Sequence, residues 1–175
     1  MARDETTSIA AILRRKFCSA LRRLHRLLRA PEAKMTGEVT IAGTTWRLEI
    51  AMTARRRYAG LGGRAELAER TGMLFIYPDA NVREFSMRGC LIPLDIAFIS
   101  PSLEVVSVFT MAIEPDRAGR TQYVSARPAQ YVLETPAGEM ALAGVVVGSK
   151  AGLSASIPAA IWSDPSPVGS SRRRW

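Results

Sequence analysis

Short runs in which apolar and polar side chains alternate are the feature that most restricts how this chain can fold. In the clearest run, apolar side chains occupy every second position: Trp46, Leu48, Ile50 and Met52. A period of two residues is typical of a half-buried β-strand. Val39 and Ile41 precede this run, and Ala42-Gly43-Thr44 forms a suitable turn between the two. Residues 38–52 are therefore predicted to form a β-hairpin.

The same criteria predict further strands at residues 73–77, 94–99, 103–113, 130–134 and 145–147. Pro78-Asp79 should end the first of these, and residues 103–113 should form the longest strand, central and covered on both faces. Residues 54–70 look helical or irregular, and Thr135-Pro136 predicts a short helix ending near Gly144. The expected fold is mainly β, a compact antiparallel sandwich or barrel with one or two short helices.

An amphipathic basic N-terminal helix is predicted ahead of this domain. Its apolar residues recur at helical spacing, at Ile9, Ile12, Leu13, Phe17, Leu21, Leu24 and Leu28. Its arginines lie largely off that stripe, at Arg14, Arg15, Arg22, Arg26 and Arg29. One hypothesis is that this arm binds an anionic membrane surface. The alternatives are a helix that packs on the domain, an extension before a start at Met35, or a segment that binds nucleic acid.

The charge distribution divides the chain into three parts. Residues 1–34 hold nine Lys or Arg and three acids, whereas residues 35–163 hold twelve of each. A neutral centre makes nucleic acid an unlikely partner for the domain, which would need a basic face. We expect a basic arm at residues 1–34, one domain at 35–153 and a disordered Pro/Ser/Gly-rich basic tail at 154–175.

The arm is too interrupted by charge for a transmembrane helix or a signal peptide. The expected location is therefore cytoplasmic, with the arm peripheral to the inner membrane under the first hypothesis.

The residue inventory disfavours several kinds of catalytic and metal site. His25 is the only histidine and lies in the arm, so a Ser-His-Asp triad would lack its base. A zinc site would find only Cys90 within the domain, and we predict no metal and no cofactor. Cys90 itself is expected to be a buried small side chain. The run 60–64 fits no phosphate-binding motif, and a flexible turn is expected there.

One acidic residue, Asp95, stands inside an apolar run that also resembles a known motif. The run continues Phe85-Ser86-Met87-Arg88-Gly89-Cys90-Leu91-Ile92-Pro93-Leu94-Asp95. With Gly60-Leu61, Gly72-Met73-Leu74-Phe75 and the closing run 123–134, it resembles the prokaryotic family called domain of unknown function 192 over roughly residues 45–150. The resemblance implies a mainly-β fold and no activity. Four positions depart from the family pattern: Gly62, Ser86, Gly89 and Cys90, where methionine, tryptophan, asparagine and threonine are usual.

The candidate site residues are Asp95 and polar residues of segments that the family also keeps polar: Arg88, Arg127, Tyr123, Ser125 and Glu134. One hypothesis is that Asp95 and an arginine line a concave site for a small polar ligand, such as a sugar hydroxyl or a carboxylate. The alternative is structural, with Asp95 accepting backbone N–H groups or pairing with Arg88. Met73, Phe75, Phe85, Met87 and Phe98 are expected in the core.

The sequence favours a non-enzymatic domain that binds a small ligand or another protein. The second candidate is a hydrolase that uses Asp95 with another carboxylate, such as Glu134, as acid and base.

Overall fold

A computed structural model describes residues 34–154, and the arm and the tail beyond Ser154 lie outside them. The fold is mainly β, as the sequence predicted. Nine strands and two short helices are present in the described part: β1 (Thr36–Ile41), β2 (Thr44–Ala51), α1 (Ala54–Ala59), β3 (Thr71–Asn81), β4 (Glu84–Phe85), β5 (Leu94–Ile99), β6 (Val105–Met111), β7 (Tyr123–Val124), β8 (Ala129–Pro136), α2 (Glu139–Leu142) and β9 (Ala151–Leu153).

Seven strands form one curled sheet in the order β6-β5-β8-β3-β2-β1-β9, and β4 pairs with β7 in a small second sheet. All neighbours in the large sheet are antiparallel except β2 and β3, which run parallel. The chain just before β9 returns to the start of β6. There, the Val105 amide donates to the Ser149 carbonyl at 2.9 Å, and the Ala151 amide donates to the Leu103 carbonyl at 2.8 Å. The sheet therefore closes on itself as a barrel does.

Two strand predictions are corrected by the pairing. β3 runs through Pro78-Asp79 to Asn81, because a register shift between Ile76 and Asn81 leaves the proline outside the ladder with β8. Residues 103–113 contain β6, which is neither the longest strand nor central. The strands buried on both faces are β5 and β8.

The end of the domain also differs from the prediction. Thr135 and Pro136 are the last residues of β8, and the short helix α2 begins only after Gly138, which has a φ of 90°. Residues 145–147 do not form a strand, and β9 closes the sheet instead. The hairpin at 38–52 and the short helix in 54–70 are confirmed.

The sheet buries both of its faces, and each face has its own core. Side chains on the inner face form one cluster around Trp46, Leu74, Ile99 and Leu133. Side chains on the outer face form a second cluster, covered by segments that leave the sheet; its members include Phe75, Ile96, Phe98, Val132, Leu61, Met87 and Cys90. We call residues 54–64 and 84–92 the cover. The expected core residues Met73, Phe75, Met87 and Phe98 are buried, and Phe85 is half-buried against the outer cluster.

Candidate functional site

The candidate site is a cavity between the outer face of the sheet and the cover. Its volume is about 190 Å³, enough for a small organic molecule. Glu134 of β8 lines it together with aromatic and basic side chains: Phe75, Tyr77, Phe85, Tyr58, Arg57 and Arg88. The same cavity is lined by Gly62, Ser86 and Cys90, three of the four positions at which the chain departs from the family pattern. We call this space the Glu134 cavity.

Glu134 is a largely buried carboxyl that faces open space in the cavity. It is only 5% exposed, and no residue within 34–154 donates a hydrogen bond to its carboxyl oxygens. Burial raises its pKa to about 8, because the charged form is poorly solvated there. At neutral pH the side chain is therefore mainly a neutral carboxylic acid, which both donates and accepts a hydrogen bond.

Close packing of the backbone holds Glu134 in position. A Cβ atom at Gly72 of β3 would lie 2.0 Å from the Glu134 carbonyl oxygen, so only glycine fits beside it. On the other side, Glu134 pairs with Ile96 of β5. Paired residues on antiparallel strands point to the same face, and Ile96 belongs to the outer cluster. The Glu134 side chain therefore points toward the cover.

The helix α1 presents one arginine to the Glu134 cavity. Thr53 caps this helix by accepting a hydrogen bond from the Arg56 amide, and Arg57 then folds back over the sheet. The Arg57 Nη1 group donates to the carbonyl of Ile76 at 3.0 Å and also to that of Met52. Its guanidinium lies 4.6 Å from the centre of the Tyr77 ring. These contacts fix a positive charge at the wall of the cavity.

A second arginine comes from the cover itself. The Arg88 guanidinium lies 4.4 Å from the centre of the Tyr58 ring, and its Nη1 donates to the Tyr58 hydroxyl at 2.7 Å. Both side chains are exposed, Tyr58 by 73%. The pair thus forms a rim of mixed aromatic and cationic character around the opening.

Asp95 does not line the Glu134 cavity. It is buried and has hydrogen-bond partners, as the sequence predicted. It is 1% exposed and accepts hydrogen bonds from the Thr110 hydroxyl at 2.7 Å and from the Met140 amide at 2.9 Å. Asp95 pairs with Thr135, whereas Glu134 pairs with Ile96, so the two carboxyls project from opposite faces of the sheet. Asp95 thereby ties α2 to the inner face of the sheet.

The remaining predicted site residues have partners other than Asp95 and Glu134. Arg127 forms an exposed ion pair with Glu104 at 3.0 Å. Tyr123 packs its ring 5.8 Å from that of Phe109. Ser125 is buried, and its hydroxyl accepts a hydrogen bond from the Arg83 amide at 2.9 Å. Of the six predicted residues, the structure brings only Arg88 and Glu134 to the same cavity.

Three important residues of the cavity were missed by sequence reasoning, namely Arg57, Tyr58 and Tyr77. Arg57 and Tyr58 belong to a run of three arginines followed by a tyrosine after the helix-capping Thr53. A helix of this length places residues three and four apart on one face, but no pattern in the sequence indicates which face meets the sheet. Tyr77 precedes a proline and looks like the end of a strand. Only its contact with Arg57 places it in the cavity wall.

Cys90 is buried, as expected, and its surroundings make the thiol a poor nucleophile. It is 6% exposed, and burial together with the negative charge of Glu134 raises its pKa to about 11. A thiol with such a pKa is almost entirely protonated at neutral pH and is a poor nucleophile. Within residues 34–154, no three His, Cys, Asp or Glu side chains are grouped so that they could hold a metal ion.

Comparisons with known proteins bear on the fold more than on the chemistry. A crystal structure of a proposed transcription regulator from Sinorhizobium meliloti is 25% identical, with a TM-score of 0.63, and the alignment covers 71% of this chain and 98% of that one. A protein of unknown function from Novosphingobium aromaticivorans is 30% identical, with a TM-score of 0.63 and coverage of 70% and 89%. No curated protein matches the chain.

The family comparison confirms the resemblance seen in the motifs. A family model described as Uncharacterized ACR matches residues 37–153, which is more than half of the chain and includes every described strand except the first residue of β1. The chain belongs to the family called domain of unknown function 192.

Proposed function

We propose that this domain is a non-enzymatic module that binds a small polar ligand in the Glu134 cavity. The observation that carries the proposal is Glu134 itself, a carboxyl 5% exposed that lines a cavity and has no hydrogen-bond donor among residues 34–154. A ligand in the cavity would complete the hydrogen bonds of this carboxyl.

The walls of the cavity suit a small ligand better than a protein partner. Aromatic rings from Phe75, Phe85 and Tyr77 supply apolar surface, and a few polar groups converge on the same space. This combination is the usual composition of small-molecule sites. A protein partner would instead need a broad exposed surface, whereas Glu134 lies below the cover.

The hydrolase alternative has less support from the geometry. Acid and base catalysis by Asp95 and Glu134 would require both carboxyls to reach one substrate. They lie on opposite faces of the sheet, and both oxygens of Asp95 already accept hydrogen bonds. Turnover in the Glu134 cavity would therefore have to use Glu134 without Asp95.

A thermal-shift screen of the full chain tests ligand binding, with sugars, nucleotides, small acids and small amines as probes. A compound that binds the native state raises the melting temperature. Gly62→Met should abolish the shift by filling the cavity, because Gly62 lines it and has no unusual φ. Gly152→Met is the matched control, since Gly152 lies in β9 away from the cavity. A screen in which no compound shifts the wild type, or in which Gly62→Met keeps the shift, would refute the proposal.

We also propose that the arm at residues 1–34 attaches the domain to an anionic membrane surface. Support comes from the sequence alone, where an apolar stripe and five arginines occur at helical spacing. Within residues 34–154, no helix is long and apolar enough to cross a bilayer.

Sedimentation with vesicles tests this second proposal on the full chain. The protein should pellet with vesicles rich in phosphatidylserine and remain in the supernatant with phosphatidylcholine vesicles. Replacing the five arginines by glutamine should release it, because each basic residue contributes about 1 kcal/mol near an anionic surface. Equal pelleting of that variant would show that the arginines do not carry the attachment.

A further inference from the structure

The charged and titratable groups around Glu134 restrict the class of ligand that the cavity accepts. They come from every element that meets there: α1, β3, β4 and the segment after β4. The groups are Arg57, Tyr58, Tyr77, Glu84, Arg88 and Cys90. Two of them are cationic, and Glu84 is the only other acid. The wall is therefore positive as long as Glu134 carries its proton.

The two arginines retain donors for a ligand. Arg57 uses only Nη1 in hydrogen bonds to residues 34–154, and Arg88 likewise uses only Nη1. A guanidinium has five N–H donors, and the remaining ones match the oxygens of a carboxylate or a similar anion. Neither arginine forms an ion pair with an acid in the described part of the chain.

The two guanidinium groups in the cavity lining favour an anionic ligand, and the protonation state of Glu134 supports the same choice. Burial raises its pKa to about 8, so at neutral pH it offers an O–H donor rather than a negative charge. The Cys90 thiol and the Tyr77 hydroxyl also stay neutral, because burial raises the pKa of each. A cation would meet two guanidinium groups and a neutral acid, whereas an anion would meet three sources of hydrogen-bond donors.

We propose that the ligand of the Glu134 cavity is a small organic carboxylate, which lies against the Glu134 carboxyl group and faces the guanidinium groups of Arg57 and Arg88. The inference rests on the proposed ligand-binding function and narrows it to one chemical class. The apolar part of the ligand packs against the rings of Phe75 and Phe85. Ionisation of Glu134 would place a second negative charge beside the bound carboxylate and expel it.

Three probes of similar size and different charge test the inference: benzoate, benzamide and benzylamine. Their affinities for the full chain are measured by calorimetry at pH 6.5 and pH 9. Benzoate is expected to bind most tightly at pH 6.5 and about tenfold more weakly at pH 9, because roughly nine-tenths of Glu134 is then ionised. Arg88→Ala should weaken benzoate binding at both values of pH.

Glu134→Gln provides the sharpest control. The amide keeps a donor at the position of the acid O–H but cannot ionise, so the variant should bind benzoate with equal affinity at pH 6.5 and pH 9. If benzoate affinity still fell tenfold between pH 6.5 and pH 9 in this variant, ionisation of Glu134 would not be the cause of the loss.

The outcomes separate this inference from the proposed function. Preference for benzylamine, or equal binding of all three probes, would overturn the carboxylate class and leave ligand binding intact. Binding of none of the three also overturns it, and the wider thermal-shift screen then decides whether the cavity binds anything. Tight benzoate binding that Gly62→Met leaves unchanged would place the carboxylate outside the cavity and overturn the inference as well.

Discussion

At the scale of single residues, this fold buries two carboxyls in opposite ways. Asp95 is satisfied by a hydroxyl and a backbone amide, and it ties α2 to the sheet. Glu134 is nearly as deeply buried, but no residue within 34–154 donates a hydrogen bond to its carboxyl, and burial raises its pKa to about 8. A buried acid with its donors supplied supports structure, whereas one without them favours protonation.

We expect the stability of the protein to fall as the pH rises from 4.5 to 8. The unfolded Glu134 titrates near its ordinary pKa of 4.5, and the folded one near 8, so folding takes up a proton in this window. The favourable contribution is complete below pH 4.5 and is lost by about pH 8, on the order of 5 kcal/mol in total. Urea unfolding at several values of pH measures this change in the free energy of unfolding.

The variant Glu134→Gln isolates this contribution. Its stability should lack the fall between pH 4.5 and pH 8. Glu104→Gln is the control, because the pKa of that exposed carboxyl is lowered by Lys150 and Arg127, and the fall should persist. If the stability of the wild type and of Glu134→Gln depended on pH in the same way, the pKa of Glu134 would not be raised in the folded protein.

Asp95→Asn is expected to lower the free energy of unfolding by about 1–3 kcal/mol. The amide has one acceptor oxygen for two donors, and its NH₂ group faces either the Thr110 hydroxyl or the Met140 amide. Urea unfolding measures the loss. Thr110→Val should have a smaller effect, since it removes only one of the two contacts. Unchanged stability in Asp95→Asn would contradict the structural role.

At the scale of elements, the contact between β3 and β8 depends on a single glycine. A Cβ atom at Gly72 would lie 2.0 Å from the Glu134 carbonyl oxygen, which is backbone and cannot yield without moving β8. We expect Gly72→Ala to destabilise the fold by about 3 kcal/mol, at the upper end of overpacking effects.

Gly152→Ala is the matched control in thermal unfolding. Gly152 also lies in a strand, and an added Cβ there would be 3.8 Å from the nearest atom, the Thr40 carbonyl oxygen. Its stability should stay close to that of the wild type. Similar losses in both variants would show that the effect of Gly72→Ala comes from the alanine in the strand and not from crowding against β8.

At the scale of the whole domain, two clusters of buried apolar side chains pack on opposite faces of one sheet. The inner cluster is enclosed by the curled sheet, whereas the outer cluster depends on the cover. The cover contains few regular elements, and the helix α1 has no buried residue. We expect the cover to open more readily than the sheet, because it buries only a few apolar side chains, Leu61, Met87 and Cys90, and such regions have lower local stability than paired core strands.

The rate at which Cys90 reacts with a disulfide reagent reports this opening. A variant with Cys18→Ser leaves Cys90 as the single thiol. Reaction at pH 8 should be at least about a hundredfold slower in the native protein than in urea, because the native thiol is buried and its pKa is about 11. Equal rates would mean that the cover does not shield Cys90.

The alternating pattern of the sequence was sufficient to predict the mainly-β fold and most strands. Period two identifies a strand by its own residues, so the hairpin and the strand at 94–99 were found correctly. Which strands are central depends on pairing between distant segments. The apolar run at 103–113 therefore looked central, although β6 stands first in the order of the sheet and closes only against the chain before β9.

For the site, local sequence identified the acids but not their surroundings. The isolation of Asp95 in an apolar run correctly indicated burial with partners, because a lone acid between apolar neighbours must be satisfied. Glu134 and Arg88 were named as candidates, yet 46 positions of the chain separate them, and only the fold brings both to one cavity. The sequence by itself determined the fold class, the family and the burial of Asp95, since these depend on local pattern. The tertiary structure decided which carboxyl lacks a donor and faces a cavity, since that depends on how β8 and the cover pack together.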